Sequence, residues 1–321
     1  MKPEVWDRVD ATTWEVWDVE QSGSSEAVWL VEPESGARWL HKDTTIPSNG
    51  IEQGEDWSEV VSTQVARLLG VPCARARLCI RAGRRGSLSQ SIIPPGHALW
   101  EGTVVLETAG VPGFFPQIEG GQQARDPQRP DVRRPGHSLA NIRTALEGSI
   151  PPPEFEGPDR LMAFDVFAGY MILDALIANP DRHEQNWAKL TPLLQTRPEA
   201  LSPSYDHASS LGHNLQDPKR RLLIKEPDRL QEWARKGRAG RFEHDGTPPS
   251  LVEHAANAVE MCSGGGADWL RQRLRDLDLD PVLEALRGCV VPGMSEAAAT
   301  FAHELLTLNL GRLRDAIGHR S

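Results

Sequence analysis

Long apolar runs are missing from this sequence of 321 residues. No stretch reaches eighteen uncharged apolar residues, which is about the least that predicts a helix across a bilayer. The N-terminus, MKPEVWDRVD, has neither the basic start nor the apolar run of a secretory signal peptide. The sequence therefore predicts a protein without a membrane span, and a cytoplasmic location is expected.

Cysteine is scarce, and positive charge is in deficit. The four cysteines form no C-x-x-C pair, which argues against a disulfide scaffold and against a zinc ribbon. The formal net charge is -10, whereas a broad nucleic-acid-binding face needs a surplus of lysine and arginine. Such a face is therefore not expected. The basic tract from Lys219 to Arg241 is interpreted as a solvated loop.

Alternating apolar and polar residues indicate that the first hundred residues are rich in strands. Turn residues separate three such segments, WEVWDV, AVWLVE and ARWLHK, so they predict an antiparallel meander. The segment WSEVVSTQVARLLG has helical spacing and ends at Gly70. Further strands are predicted at ARARLCI, SLSQSII and TVVLE, the last covering residues 103–107. The core of the meander is predicted to contain four tryptophans: Trp14, Trp17, Trp29 and Trp39.

The composition changes after residue 107. Residues 108–137 are rich in glycine, proline, glutamine and arginine, and they are interpreted as a connector or mobile insertion. From residue 138 the strong patterns are helical, and the last helix is amphipathic with Ser295 as its cap. The sequence thus predicts an α+β fold, with a small β-rich lobe at residues 1–107 and a larger helical lobe at residues 138–321.

Polar residues are concentrated directly after a long buried helix, in the segment NPDRHEQNW at residues 179–187. Asp181 and Asn186 in this segment have the spacing D-x-x-x-x-N. Asp206 follows at the end of LSPSYD, and Lys42 ends the third predicted strand. Phosphoryl transfer from ATP uses a lysine for the phosphates and aspartate and asparagine for metal and acceptor. The pattern predicts that these four side chains meet in one cleft.

Several segments resemble HipA-like kinases. The resemblance is most specific in IANPDRHEQNWAKL followed by LSPSYDHASS, and the core of the first segment is also similar to that of phosphatidylinositol 4-kinases. ARWLHK resembles the lysine strand of these kinases, EVVSTQVARLLGVPCARA looks like the helix after it, and TVVLE is similar to the hinge that contacts adenine. The resemblance implies a protein-kinase-like fold of two lobes, with ATP and Mg²⁺ in the cleft between them.

The resemblance also implies a role for each matching residue. Asp181 orients the substrate hydroxyl, with His183 beside it in the catalytic loop, and Asn186 and Asp206 coordinate Mg²⁺. The implied nucleotide-binding residues are Ser22, Gly23, Ser24 and Ser25 in the first turn, Lys42 on its strand, Glu59 on the helix as a partner for that lysine, and Glu107 in the hinge. The implied activity is that of a serine/threonine protein kinase acting on a protein hydroxyl. An antitoxin or other regulatory partner is left open.

Other interpretations fit the same residues. The phosphate acceptor can be a lipid, a small molecule or a modified peptide, and the chain can also be a nucleotide-binding regulator without turnover. A metal hydrolase is a further alternative, with ligands among His183, Asp206, His207 and His213, although H-x-x-x-H and H-x-H spacings are missing. Arg182 is open between an ion pair within the fold and a phosphate contact.

Overall fold

The computed structural model describes residues 6–20, 27–116, 125–194 and 197–318. The predicted nucleotide-binding turn, Ser22 to Ser25, lies outside these ranges. The first elements are β1 Arg8–Asp10, β2 Glu15–Glu20, β3 Ala27–Val31, β4 Arg38–Asp43, α1 Glu55–Leu69, β5 Ala76–Arg81 and β6 Arg84–Gln90. The strands form a six-stranded sheet in the order β1-β5-β6-β4-β3-β2. The predicted meander, the helix after it and the next two strands are confirmed.

Period-two alternation determines which face of the sheet is buried. Trp14 and Trp39 are buried with Leu30 in a small core of this lobe, as predicted. The same prediction is wrong for Trp17, which is 51% exposed, and Trp29 on β3 is only half-buried. The Trp17 ring instead lies under the Arg38 guanidinium, with 3.9 Å between the carbon of the cation and the ring centroid. That stacking covers an aromatic face at the sheet edge without burying it in the core.

Helix α1 packs its apolar arc, which includes Val61 and Val65, against the rest of the protein. It ends at Gly70, whose φ of 80° is left-handed, and the Gly70 N–H bonds the carbonyls of Ala66 and Arg67. Glycine adopts this conformation without a steric penalty. The helix contacts β5 and β6 on one side and the central helix of the second lobe on the other. It therefore connects the two lobes.

The second lobe is mostly helical. Its elements are β7 His97–Glu101, α2 Gly102–Thr108, β8 Val132–Arg133, α3 Leu139–Ala145, α4 Ala163–Ile177, β9 Ala188–Pro192, β10 Ala200–Leu201, α5 Asp217–Lys225, α6 Pro227–Lys236, β11 His244–Asp245, α7 Leu251–Glu260, α8 Gly264–Asp276, α9 Asp280–Arg287 and α10 Glu296–Gly318. Every residue of α4 is buried, and α7, α8 and α10 pack around it. The predicted Ser295 cap is confirmed, because Ser295 Oγ accepts the N–H of Ala298 at 3.1 Å. The α+β class is likewise confirmed.

The residues interpreted as a connector contribute one short strand to this lobe. Strand β8 pairs with β11, so that Arg133 faces His244 across an antiparallel ladder. The boundaries of the connector, 108–137, remain a prediction. Within the described ranges, no helix is both long enough and apolar enough to cross a bilayer.

The strand predicted at residues 103–107 is wrong, because these residues form helix α2. Gly102 begins the helix with its N–H bonded to the carbonyl of Trp187 at 2.8 Å. A β-carbon at this position would overlap the Trp187 ring and the carbonyl oxygen of Glu184. Close approach of the backbone therefore determines where the chain turns, and it outweighs the β propensity of the two valines. Glu107, expected in a hinge strand, is exposed on α2.

The strand that borders the predicted catalytic segment is β7. It pairs over five residues with β9, which follows that segment, and β10 completes a three-stranded sheet. Residues 91–96 link the six-stranded sheet to β7. These six residues and β7 precede α2, the helix that the sequence predicted as a hinge strand. The predicted lobe boundary at residue 107 stays a prediction.

Candidate active site

A left-handed residue separates α4 from the polar segment at residues 179–187. Ala178 has a φ of 53°, and the N–H of Asn179 bonds the Asp174 carbonyl at 2.8 Å. Asn186 then donates its Nδ2 to the main-chain oxygen of Asp181 at 2.9 Å. The two predicted catalytic-loop residues are therefore linked directly. This bond uses the nitrogen of the carboxamide, so Oδ1 of Asn186 is the atom that can coordinate a cation.

A buried ion pair holds this loop against α4. Arg182 donates Nε to Asp174 Oδ2 at 2.8 Å and Nη2 to Asp174 Oδ1 at 2.7 Å, and its Nη1 bonds the Asn186 carbonyl. Both side chains are almost fully buried, at 2% and 4% exposure. Burial acts to lower the pKa of Arg182, but the Asp174 carboxylate outweighs it and raises that pKa. Arg182 thus belongs to the fold, and the phosphate-contact alternative is wrong.

Lys42 and Asp206 meet across the interlobe cleft. Lys42 Nζ lies 3.0 Å from Asp206 Oδ1, which brings the end of β4 to the segment after β10. Asp206 has a φ of 59°, a conformation that persists only where the surrounding structure fixes it. Burial acts to raise the pKa of Asp206, but the Lys42 ammonium outweighs it and lowers that pKa. The carboxylate is therefore charged at neutral pH.

Glu59 binds the residue next to Asp206. Its Oε2 accepts the main-chain N–H of His207 at 2.6 Å, and its Oε1 lies 3.5 Å from His207 Nδ1. The other ring nitrogen of His207 is 2.8 Å from Ser204 Oγ. Glu59 was expected beside Lys42, whereas the structure places Asp206 against Lys42 and His207 against Glu59. The Glu59 carboxylate on α1 thus anchors the loop that carries Asp206, through the main chain of His207.

We expect Glu59→Ala to lower the free energy of unfolding by about 1–3 kcal/mol, because the buried N–H of His207 would lose its acceptor. Glu59→Gln keeps an oxygen in place and should cost less. Urea unfolding measures both changes. Glu55→Ala, in the first turn of the same helix, is the matched control. Equal destabilisation by Glu59→Ala and Glu55→Ala would contradict the stabilising role given to the bond between Glu59 and the His207 N–H.

His183 lies within the loop and is half-buried. Its Nδ1 accepts the N–H of Gln185 at 3.2 Å. Burial lowers the pKa of His183, against the opposing effect of the Asp181 carboxylate. A neutral imidazole at physiological pH fits this acceptor role. The geometry agrees with a histidine that stabilises the loop beside Asp181.

Asp181 has two side-chain partners that the sequence did not indicate. Arg241 donates Nε to Asp181 Oδ1 at 2.7 Å, and its Nη2 lies 2.6 Å from the same oxygen in an ion pair. Ser209 Oγ lies 3.4 Å from Asp181 Oδ2. The prediction of a solvated loop from Lys219 to Arg241 is wrong, because most of this tract forms helices α5 and α6, with Arg220 buried, and Arg241 pairs with Asp181. The only available signal was Phe242, an aromatic residue inside a polar stretch, which is buried.

The side chains of Asn186 and Asp206 offer oxygen atoms of the kind that Mg²⁺ binds. Mg²⁺ takes hard oxygen ligands and is commonly bound by one or two carboxylates together with substrate phosphates. The zinc alternative fits less well, because the His207 ring faces Glu59 and Ser204 on its two sides. In the described part of the chain, no group of three histidine, cysteine, aspartate or glutamate side chains could hold a metal ion.

A strand that carries Lys42, a helix that carries the buried Glu59, and a D-x-x-x-x-N loop followed by Asp206 occur here in the order expected of a kinase-like fold. The crystal structure of the proinflammatory kinase CtkA of Helicobacter pylori has this fold, with a TM-score of 0.73 to this chain. The sequence identity is 16%, and the match covers 98% of this chain and 97% of that one. The two-lobed kinase-like fold expected from the sequence is confirmed.

A second solved structure is that of HipA from Shewanella oneidensis MR-1 in a toxin–antitoxin complex with HipB and operator DNA. Its TM-score is 0.45 at 11% identity, covering 94% of this chain and 66% of that one. No protein-family model matches the sequence. No curated protein matches it either.

Proposed function

We propose that the protein is an ATP- and Mg²⁺-dependent phosphotransferase of the HipA-like type, acting on a serine or threonine hydroxyl of a protein. The observation that carries the proposal is the ion pair between Lys42 and Asp206, 3.0 Å apart. It joins a strand of one lobe to a loop of the other, and Asp206 and Asp181 both lie within electrostatic reach of His183. Opposite charges at the mouth of an interlobe cleft suit a triphosphate and its cation.

Each side chain has a defined task in this proposal. Lys42 binds the α- and β-phosphates, and the linking residues 91–96 lie against the adenine. The acceptor hydroxyl oxygen attacks the γ-phosphorus in line, while the bond from that phosphorus to the β,γ-bridging oxygen breaks. The bridging oxygen leaves with its electron pair on ADP. Asp181 orients the hydroxyl and takes its proton, which then passes to solvent.

Asn186 and Asp206 would hold the Mg²⁺, which supplies neutralisation of phosphate charge. When Mg²⁺ is bound, Lys42 must either share the Asp206 carboxylate with the cation or leave that carboxylate and bind the phosphates. A lysine is suited to that exchange, because its ammonium is a compact charge on a flexible stem.

Mg-ATP should raise the melting temperature of the parent protein, and Asp206→Asn should abolish most of that rise. A ligand at one hundred times its dissociation constant stabilises the folded state by about 2.7 kcal/mol, so the effect is measurable in a thermal-shift titration. Asp159→Asn is the matched control, because Asp159 is exposed and lies before the N-terminus of α4, whereas the predicted catalytic segment follows the C-terminus of that helix. An unchanged melting temperature of the parent in saturating Mg-ATP would sink the proposal.

The acceptor class needs a separate assay. Labelled ATP can be offered with protein, inositol lipid and small hydroxylic acceptors in parallel. Transfer to protein serine or threonine supports the proposal, and transfer only to lipid or small molecules moves the assignment to those acceptors. Mg-ATP binding without any turnover would instead indicate a regulator.

A further inference from the structure

Arg241 forms an ion pair with Asp181. Two of its nitrogens converge on a single oxygen, Asp181 Oδ1, at 2.7 Å and 2.6 Å. The two side chains are 38% and 29% exposed, so a ligand in solution can reach the guanidinium. A planar guanidinium binds phosphate oxygens as readily as carboxylate oxygens. It can therefore contact a phosphoryl group without leaving the neighbourhood of Asp181.

The backbone of Arg241 is held by a stack of buried rings. His137 Nδ1 lies 2.7 Å from the Arg241 carbonyl oxygen, and the His137 ring stacks on Phe242 with centroids 4.6 Å apart. His254 covers the Phe242 ring from another side at 4.2 Å. Trp187 Nε1 donates to the remaining nitrogen of His137 at 3.1 Å. Arg241 is thus placed by the catalytic loop itself, through the last residue of that loop.

Arg134 is close to Arg241 in the fold, because it follows β8 directly and Arg133 of that strand faces His244 of β11. It lies within electrostatic reach of Glu184, Arg241 and Asp181, and burial lowers its pKa against the effect of Glu184. Its Nη1 is buried and has no hydrogen-bond partner among the described residues. The backbone of Arg134 has a φ of 52°, which is strained for a residue with a β-carbon. A buried donor without an acceptor costs free energy unless a ligand fills it.

We propose that Arg241 and Arg134 form a phosphoryl-binding subsite beside Asp181, and that its ligand is the γ-phosphoryl group during transfer. This inference rests on the proposed function. As the β,γ-bridging bond breaks and the bond to the acceptor oxygen forms, the three remaining oxygens of the phosphoryl group carry the charge. The two guanidinium groups stabilise that charge, while Asp181 receives the proton of the hydroxyl. Arg241 is then a catalytic residue, and Arg134 adds a second positive charge to the same subsite.

Aluminium fluoride with Mg-ADP mimics the transferring phosphoryl group and tests the subsite without turnover. The parent should melt higher with Mg-ADP and aluminium fluoride than with Mg-ADP alone. Arg241→Gln should lose this added rise and keep the response to Mg-ADP, and its phosphotransfer rate should fall by about 10²-fold. Arg134→Gln should lose part of the rise. Arg238→Gln is the matched control from the same basic tract, since Arg238 is 43% exposed and lies 4.0 Å from Glu253.

Four outcomes distinguish the possibilities. A full aluminium fluoride response in Arg241→Gln overturns the subsite, and faster transfer in that variant overturns it by showing that the ion pair with Asp181 is inhibitory. An arginine-dependent response to a phosphoserine peptide, with none to aluminium fluoride, places the phosphate on the acceptor and overturns the assignment to the γ-phosphoryl. A parent that does not respond to Mg-ADP at all overturns the proposed function instead.

Discussion

Asp181→Asn is expected to lower the phosphotransfer rate by up to about 10⁴-fold, the upper range for removal of a positioned general base. Mg-ATP binding should persist and become slightly tighter. The reason is that the substitution removes a negative charge from the cleft that receives the phosphates. Single-turnover transfer from labelled ATP measures the first effect, and a thermal-shift titration measures the second. The amide keeps the shape of the side chain, so the backbone bond from Asn186 is retained.

Asp159→Asn is the control for this experiment as well. Helix α4 has fifteen residues and is about 22 Å long at 1.5 Å per residue, and it separates position 159 from the catalytic loop. The control should transfer phosphate at the parent rate. A loss of less than tenfold in Asp181→Asn would contradict the role given to Asp181, whatever the control shows.

Arg182→Met is expected to give the largest loss of stability, roughly 3–5 kcal/mol in the free energy of unfolding. The Asp174 carboxylate would remain buried without its cation, and removal of one partner of a buried ion pair typically costs that much. Asp174→Asn should also lower the free energy of unfolding, because the Arg182 guanidinium would then remain buried without its carboxylate. Urea denaturation of each variant measures the change. Because Arg182 also bonds the Asn186 carbonyl, weaker Mg-ATP binding should accompany the loss.

A double variant, Arg182→Met with Asp174→Leu, separates the pair from its parts. It should be less destabilised than the sum of the single variants, since no uncompensated charge remains. The exposed pair of Lys236 and Glu232, at 71% and 66% exposure, provides the control. Lys236→Met should change stability by no more than about 0.5 kcal/mol. Similar costs for the buried and exposed pairs would refute the interpretation of Arg182 as a residue of the fold.

Local periodicity and spacing predicted much of this molecule. The meander, helix α1 and the buried helix α4 follow from hydrophobic repeats of two and 3.6 residues. The secondary structure observed in these segments matches those repeats. The meeting of Lys42 with Asp206 could be expected from the order of the segments along the chain. Whether Asp181 and Asn186 perform the chemistry stays a prediction.

Long-range contacts were not accessible in the same way. Residues 103–107 have β-branched side chains that favour a strand, but contact of Gly102 with the Trp187 ring makes them helical. The pairing of Glu59 with His207 depends on where an aspartate adopts a left-handed backbone, which sequence spacing does not encode. Arg241 lies 60 residues after Asp181, and no periodic pattern connects them.

The tight seating of Gly102 on Trp187 has a mechanical consequence. Strand β7 is hydrogen-bonded along its whole length to β9, and its end is pinned to the final residue of the catalytic segment. Along this part of the chain, a relative movement of the two lobes would therefore fall on the six residues 91–96. The β7–β9 pairing would then keep the segment at residues 179–187 in place beneath the cleft during such a movement.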